Sequence, residues 1–350
     1  LQVAQSRAAI AALTDLLSRR PDDLSARWLL NVAYMTLGEY PDQVPSAWLI
    51  PPSAFASEYP LPNFPNIAGK LGLDQEGLAG GVIAEDFDND GDLDLMVSEW
   101  GLSDQLRYYE NNGDGTFADV TKAAGLDKVL HTMGCNFGDL DNDGWRDFYL
   151  GTGDPSVAML IPNRMFRNDG GRRFQDVTTA GGFGHLQKGH GVAFADFDHD
   201  GDQDLYESLG GANSGDVYRN AFFENPGTTN HWIAFQLEGV QSNRPAVGAR
   251  LKLTVATAEG RRTIHKTVNS GGSFGANPLR QHIGLGAARQ ADVEIFWPAT
   301  GKTQAFARLA PGFLYQIREG DSKPVRVKLK KVKLGEPADF SGSRTEAGRS

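Results

Sequence analysis

Three nine-residue stretches concentrate most of the chemistry this chain could perform: DFDNDGDLD from Asp86 to Asp94, DLDNDGWRD from Asp139 to Asp147 and DFDHDGDQD from Asp196 to Asp204. Carboxylates occupy positions 1, 3, 5 and 9 of every copy: Asp86, Asp88, Asp90 and Asp94; Asp139, Asp141, Asp143 and Asp147; Asp196, Asp198, Asp200 and Asp204. Like charges this close repel one another, so the pattern requires a cation. Ca2+ is a hard ion that takes about six to eight oxygens, and a chain curling around it presents alternate residues inward. The glycine at position 6 permits the sharp turn. Position 7, held by Asp92, Trp145 and Asp202, is expected to give its backbone carbonyl, because its side chain varies. Positions 4 (Asn89, Asn142, His199) and 8 (Leu93, Arg146, Gln203) are expected to face outward. A bidentate glutamate at position 12, as in an EF-hand, is not repeated, since Val97, Leu150 and Glu207 stand there. One Ca2+ per loop, about three ions, would move the formal charge from -10 to -4.

Other constellations are weaker. Gly271-Gly272-Ser273-Phe274-Gly275 matches the G-x-S-x-G nucleophile elbow, but it lies among strands rather than at a strand-to-helix turn, and the order Ser, Asp, His is not kept. It is read as a glycine-rich loop. The single cysteine, Cys135, aligns with Val82 and Val192 of the other repeats and is read as core; no intrachain disulfide can form. His185 and His190 form the closest histidine pair and are read as loop residues. The aspartates are poor acid/base catalysts, because a metal ligand must stay ionised.

The acidic stretches sit in a longer repeat. Phe64, Phe117 and Phe174 each precede a glycine by eight residues, and each glycine precedes the first loop aspartate by fourteen. Repeat starts 53 and 57 residues apart fit one four-stranded propeller blade. Flanks such as GVIAED and LDLMVSEW read as strands, so each loop is expected to join two strands of a blade.

The whole chain divides accordingly. Residues 1–45 have helical periodicity, with Ile10, Leu13 and Leu17 on one stripe and Leu29, Ala33 and Leu37 on another, and predict a helical hairpin similar to part of a tetratricopeptide repeat. A Pro-rich linker follows over 46–63, then three repeats over 64–229 (64–116, 117–173 and 174–229). About seven short strands over 230–320 predict a β-sandwich-like domain. Residues 321–350 carry a basic strand and a polar tail expected to be disordered.

The loops together with FADVT (Phe117 to Thr121) and FQDVT (Phe174 to Thr178) resemble FG-GAP/VCBS repeats of integrin-type β-propellers. SNRPAVGARLKL, NSGGSFGANPLRQHIGLG and IFWPATGKTQ resemble an ASPIC/UnbV domain. The resemblance implies a mainly β fold, FG-GAP/VCBS β-propeller-type blades of which three are recognisable, followed by a β-sandwich-like ASPIC/UnbV domain. It also implies calcium and a binding or adhesive role. Three blades fall short of the four needed to close a ring, so degenerate strands in residues 46–63 and the sandwich complete it, or the chain is part of a larger protein, or other subunits cover the open blade edges.

Clustered acids argue against nucleic acid as a partner, and no apolar run approaches the roughly 20 residues of a membrane span. The first residue is Leu1, which suggests a processed or truncated product. The expectation is a non-catalytic, extracytoplasmic (secreted, periplasmic or cell-surface) calcium-binding protein with a protein or glycan ligand. The alternative is an accessory or catalytic subunit of an exported enzyme complex.

Overall fold

A computed structural model describes residues 3–101, 103–153, 156 and 160–335; the tail from residue 336, expected to be disordered, lies outside the described residues. The chain divides into two compact units, Leu1–Asn66 and Ile67–Ser350.

In the first unit, helices α1 (Val3–Arg19) and α2 (Leu24–Thr36) form a hairpin. Asp23 caps α2 by accepting the Ala26 amide at 2.9 Å, which satisfies a donor the helix cannot. Leu17, Ala26 and Leu30 make the packed face, with Ile10, Leu13 and Tyr34 around them. The expected second stripe is shifted: Leu29 is 51% exposed, because it lies about 100° around the helix from Leu30. No further α-helix packs there among the described residues of this unit; instead a turn-rich segment leading to a short 3-10 helix (Pro52–Phe55), whose Phe55 ring lies 6.0 Å from that of Trp28, is strapped to α2. The buried Asn31 donates to the Trp48 carbonyl at 2.9 Å and accepts the Ile50 amide at 3.0 Å.

The second unit begins with three small antiparallel blades. The first runs β1 (Ala79–Glu85), β2 (Asp94–Glu99), β3 (Arg107–Asn111) and β4 (Phe117–Asp119) in spatial order. The second repeats this with β5 (Thr132–Gly138), β6 (Asp147–Thr152), β7 (Arg164–Asn168) and β8 (Phe174–Asp176). The third has three strands among the described residues, β9 (Gly189–Ala195), β10 (Asp204–Leu209) and β11 (Ala221–Phe223). Each acidic loop joins the first two strands of its blade, and its last aspartate pairs across the ladder with Glu85, Gly138 or Ala195. The blades are out of phase with the sequence repeats. Phe117 and Phe174 open the outermost strand of the preceding blade, whereas Phe64 is 81% exposed and lies in no strand.

Alternation along the strands builds two apolar layers. Every residue of β6 is buried: Phe148 and Leu150 face the first blade, with Ile83, Phe87, Tyr108 and Phe174, while Tyr149 faces the third, with Val192, Phe194 and Leu205. Phe148 and Phe174 meet edge to face at 5.0 Å, a favoured aromatic geometry. Glu207 of β10 is buried in the second layer, where the Tyr149 hydroxyl donates to it at 2.8 Å. Burial pushes its carboxyl up to about 8.

The remaining strands are β12 (His231–Glu238), β13 (Arg250–Thr257), β14 (Gly260–Thr267), β15 (Gln281–Gly286), β16 (Ala291–Trp297), β17 (Lys302–Leu309), β18 (Leu314–Arg318) and β19 (Val325–Val327). They form two sheets, β15-β12-β18-β19 and β14-β13-β16-β17, with β12 and β18 parallel. Inward residues of both sheets, among them Phe235, Leu253, Ile283 and Trp297, share one core.

The glycine-rich loop between β14 and β15 explains how three blades hold together. Ser273 exchanges backbone hydrogen bonds with Cys135 of β5, and its hydroxyl accepts the Val82 amide of β1 at 3.0 Å. Asn277 accepts the Phe194 amide of β9 at 2.8 Å and donates to the Phe137 carbonyl at 2.8 Å. One loop thus joins the first strands of all three blades. A Cβ at Gly272 would fall 2.3 Å from the Cys135 carbonyl oxygen and one at Gly275 would fall 1.9 Å from that of Val192, so side chains are excluded there. The Ser273 hydroxyl is a structural acceptor on no strand-to-helix turn. Cys135, 1% exposed with its thiol pushed up to about 11 by burial, is core.

Two outcomes follow from this packing. Residues 67–335 should unfold in one calorimetric transition, and Gly275→Ala should cost about 1–3 kcal/mol and split that transition in two. For Glu207 the raised pKa means that its protonation favours the folded state. That contribution is complete below the ordinary glutamate range and is lost as pH rises through about 8. Glu207→Gln should therefore flatten the fall of melting temperature between pH 5 and pH 9, a range of about four units; an unchanged pH profile would contradict the assignment.

Candidate metal centre

Each acidic loop is shaped by its own aspartates accepting backbone amides two residues on. Asp88 Oδ1 accepts the Asp90 amide at 3.1 Å, and Asp90 Oδ1 accepts the Asp92 amide at 2.8 Å. Asp198 and Asp200 repeat this with Asp200 and Asp202, both at 3.0 Å, and Asp143 accepts the Trp145 amide at 2.9 Å. The glycine at position 6 has φ near +100 in the first and third loops (Gly91 +105, Gly201 +102), which an L side chain rarely adopts. Position 9 closes the base: Asp94 accepts Phe87 and Asn111 amides, Asp147 those of Leu140 and Asn168, and Asp204 those of Phe197 and Asn225.

The curl brings carboxylates together. Ligand atoms of Asp86, Asp88 and Asp90, of Asp139, Asp141 and Asp147, and of Asp196, Asp198 and Asp200 lie within 4.8 Å of one another in each loop; these are the three groups among the described residues able to hold a metal ion. Of the other residues expected at these sites, Asp94 and Asp204 turn both oxygens to backbone amides, and Asp143 is held by Arg167. The Asp92 side chain is exposed, the Asp202 carboxylate accepts from Asn142 at 2.6 Å, and the Trp145 ring lies 5.4 Å below the Arg262 guanidinium.

The fit to a cation rests on oxygens with nothing else to bind. Asp86 Oδ1, Asp139 Oδ1, Asp141 Oδ1 and Asp196 Oδ1 are buried without a hydrogen-bond partner. A buried acceptor left unpaired costs roughly 1–3 kcal/mol, and more when charged. Burial, reinforced by neighbouring carboxylates, pushes Asp86 up to about 8 and Asp143 to about 7. Asp139 and Asp202 rise to about 6, mainly through burial, and Asp147 is raised well above the carboxylate range for the same reason. A divalent ion would outweigh these effects and draw the carboxylates back down, because its charge is the largest local one.

Positions 4 and 8 do not all face outward. Asn142 is fully buried and Arg146 is 2% exposed, and only Leu93 behaves as expected. Position 4 takes a left-handed conformation (Asn89 φ 60, Asn142 φ 57, His199 φ 62), and in the first two loops its side chain reaches the next loop. Asn89 donates to the Gly144 carbonyl at 3.1 Å and Asn142 to that of Gly201 at 2.9 Å. Lacing runs backward too: Asn168 donates to the Phe87 carbonyl and Asn225 to that of Leu140, both at 2.9 Å. The signal was present as N-x-G in every repeat, at Asn111, Asn168 and Asn225. Arg167, which donates to Asp141 and Asp143 at 2.6 Å each, had no such signal.

With this geometry in place, comparison with known proteins is direct. The FG-GAP-like repeat family matches residues 86–150 and 150–207, so its two matched stretches span all three loops. The ASPIC and UnbV family matches residues 239–324. Cartilage acidic protein 1 of Xenopus tropicalis is 28% identical over 248 residues, which cover 67% of this chain and 36% of that protein. The chain thus spans about a third of the length of this curated relative. It carries FG-GAP-like repeats followed by an ASPIC and UnbV domain, the domain architecture of cartilage acidic protein 1.

Proposed function

We propose that this protein is a non-catalytic, extracytoplasmic calcium-binding module that acts through a propeller-type surface in binding, adhesion or assembly. The observation that carries the reading is the recurrence, in three separate loops, of a buried first-position aspartate oxygen with no protein partner. Calcium suits the loops better than magnesium. It accepts irregular shells of about six to eight oxygens, including the position 7 carbonyls of Asp92, Trp145 and Asp202, whereas magnesium demands a near-ideal octahedron. Sites of this kind fill at millimolar calcium, which is found outside the cytosol. Among the described residues no helix is long and apolar enough to cross a membrane.

The ligand of such a module is a protein or a glycan. One feature favours a protein that adds to a sheet: β11 is an edge of the third blade, three-stranded among the described residues, and its Phe222 and the nearby Phe197 are each 43% exposed with ring centroids 5.3 Å apart.

Metal analysis and calorimetry of the full chain test the reading. About three calcium ions per chain should be found, and at ten times the dissociation constant each adds about 1.4 kcal/mol, or ~4 in all. EDTA should lower the melting temperature, and Asp86→Asn with Asp88→Asn should remove one ion and part of that stabilisation. A melting temperature indifferent to calcium and EDTA would sink the metal reading.

A further inference from the structure

The three loops are not equivalent in what already answers their charge. Among the described residues, no lysine or arginine forms an ion pair with the aspartates of the first loop. In the second, Arg167 of β7 holds Asp141 and Asp143 from within the same blade, and the buried Arg146 of the loop itself lies 3.8 Å from Asp139. The third loop ends the row, so no fourth acidic loop lies ahead of it to be laced as the first two lace their successors. In that place lies the segment after β19. The Val332 amide donates to the Asp198 carbonyl at 2.6 Å, and Lys331 Nζ reaches Asp200 Oδ2 at 3.0 Å. Between β19 and these contacts, residues 328–331 line one side of a cavity of about 600 Å³ whose other walls are His199, Asp200, Trp232 and Gly312.

Asp200 belongs to the carboxylate group of the third loop, and both its oxygens are engaged. Oδ1 accepts the Asp202 amide and Oδ2 takes Lys331. A metal ion that uses Asp200 must therefore compete with a lysine whose side chain is 68% exposed and free to leave. Lys328, Lys330 and Lys331 line the same cavity as Asp200, and a divalent ion that cancels the loop's negative charge removes the attraction that holds the segment down.

We infer that residues 328–332 form a calcium-sensitive latch: Lys331 weakens the third site relative to an unlatched one, and filling that site releases the segment. The inference rests on the calcium reading above. The structure supplies both halves of the exchange, an ammonium group on a candidate ligand oxygen and a strap tied to β18 through the β19 pairing.

Calcium titration calorimetry of the full chain, wild type against Lys331→Ala, with timed trypsin cleavage at Lys328, Lys330 and Lys331, tests it. The variant should bind one ion about two- to fivefold more tightly, the range expected for an exposed ion pair, and the other ions unchanged. In the wild type, calcium should accelerate cleavage within 328–331. Three ions bound with affinities indistinguishable between the proteins, or cleavage indifferent to calcium, overturns the latch and leaves the calcium reading standing. The absence of any calcium binding by the wild type overturns both.

Discussion

Carboxylates crowded into a desolvated turn must meet positive charge, and this requirement organises the second unit. Asp86, Asp139 and Asp196 each keep an oxygen inside the protein with no donor to receive it. Such an arrangement is unfavourable by several kcal/mol per buried charge unless a counter-ion is close. The chain supplies different counter-charges at different loops: none paired to the first, two guanidinium groups to the second, from Arg167 of the neighbouring strand and from the buried Arg146 3.8 Å from Asp139, and a lysine on a strap across the third. A repeated sequence thereby yields three unequal sites.

The same loops hold the blades together. Position 4 asparagines reach forward and hairpin asparagines reach back, so each loop is fixed by its neighbour's backbone as well as by its own. Position 2 anchors the loop in the layer between blades: Phe87 is fully buried there, whereas Phe197, which has no further blade to enter, is 43% exposed. The inner strands would be left without a centre, and the Asn269 to Pro278 loop of the sandwich provides one through hydrogen bonds to β1, β5 and β9. The three-blade problem is solved within the chain at the centre and left open at the outer edge of β11.

What sequence makes legible follows from periodicity and repetition. The alternation of β13 and β16 and the spacing of the aspartates are local patterns, and they lead to the strands, the loops and the carboxylate groups. Contacts between distant segments are not local and leave little trace. Arg146 looks like a solvated arginine in DGWRD, yet it is buried because the sandwich domain covers it, with the His265 carbonyl within 3.4 Å. The register of the blades was equally hidden. Phe117 and Phe174 mark a true repeat, but the strand each begins pairs with the blade before, which spacing alone does not reveal.

Repeated blades create an ambiguity of register, since a sandwich domain that touches all three could meet the row shifted by one blade. The residue before each acidic loop breaks the symmetry. It is Glu85 in the first blade but Gly138 and Ala195 in the others, and Glu85 forms a fully buried ion pair with Lys266 of β14. Burial draws the Lys266 ammonium down to about 8 despite that partner, so the pair gains little net stability. Its effect is on specificity: docking Lys266 against Gly138 or Ala195 would leave a buried ammonium and a buried carboxylate both unpaired, a penalty of several kcal/mol. The pair therefore favours the one register in which the sandwich meets all three blades, the register that also sets the Gly284 amide on Asp139.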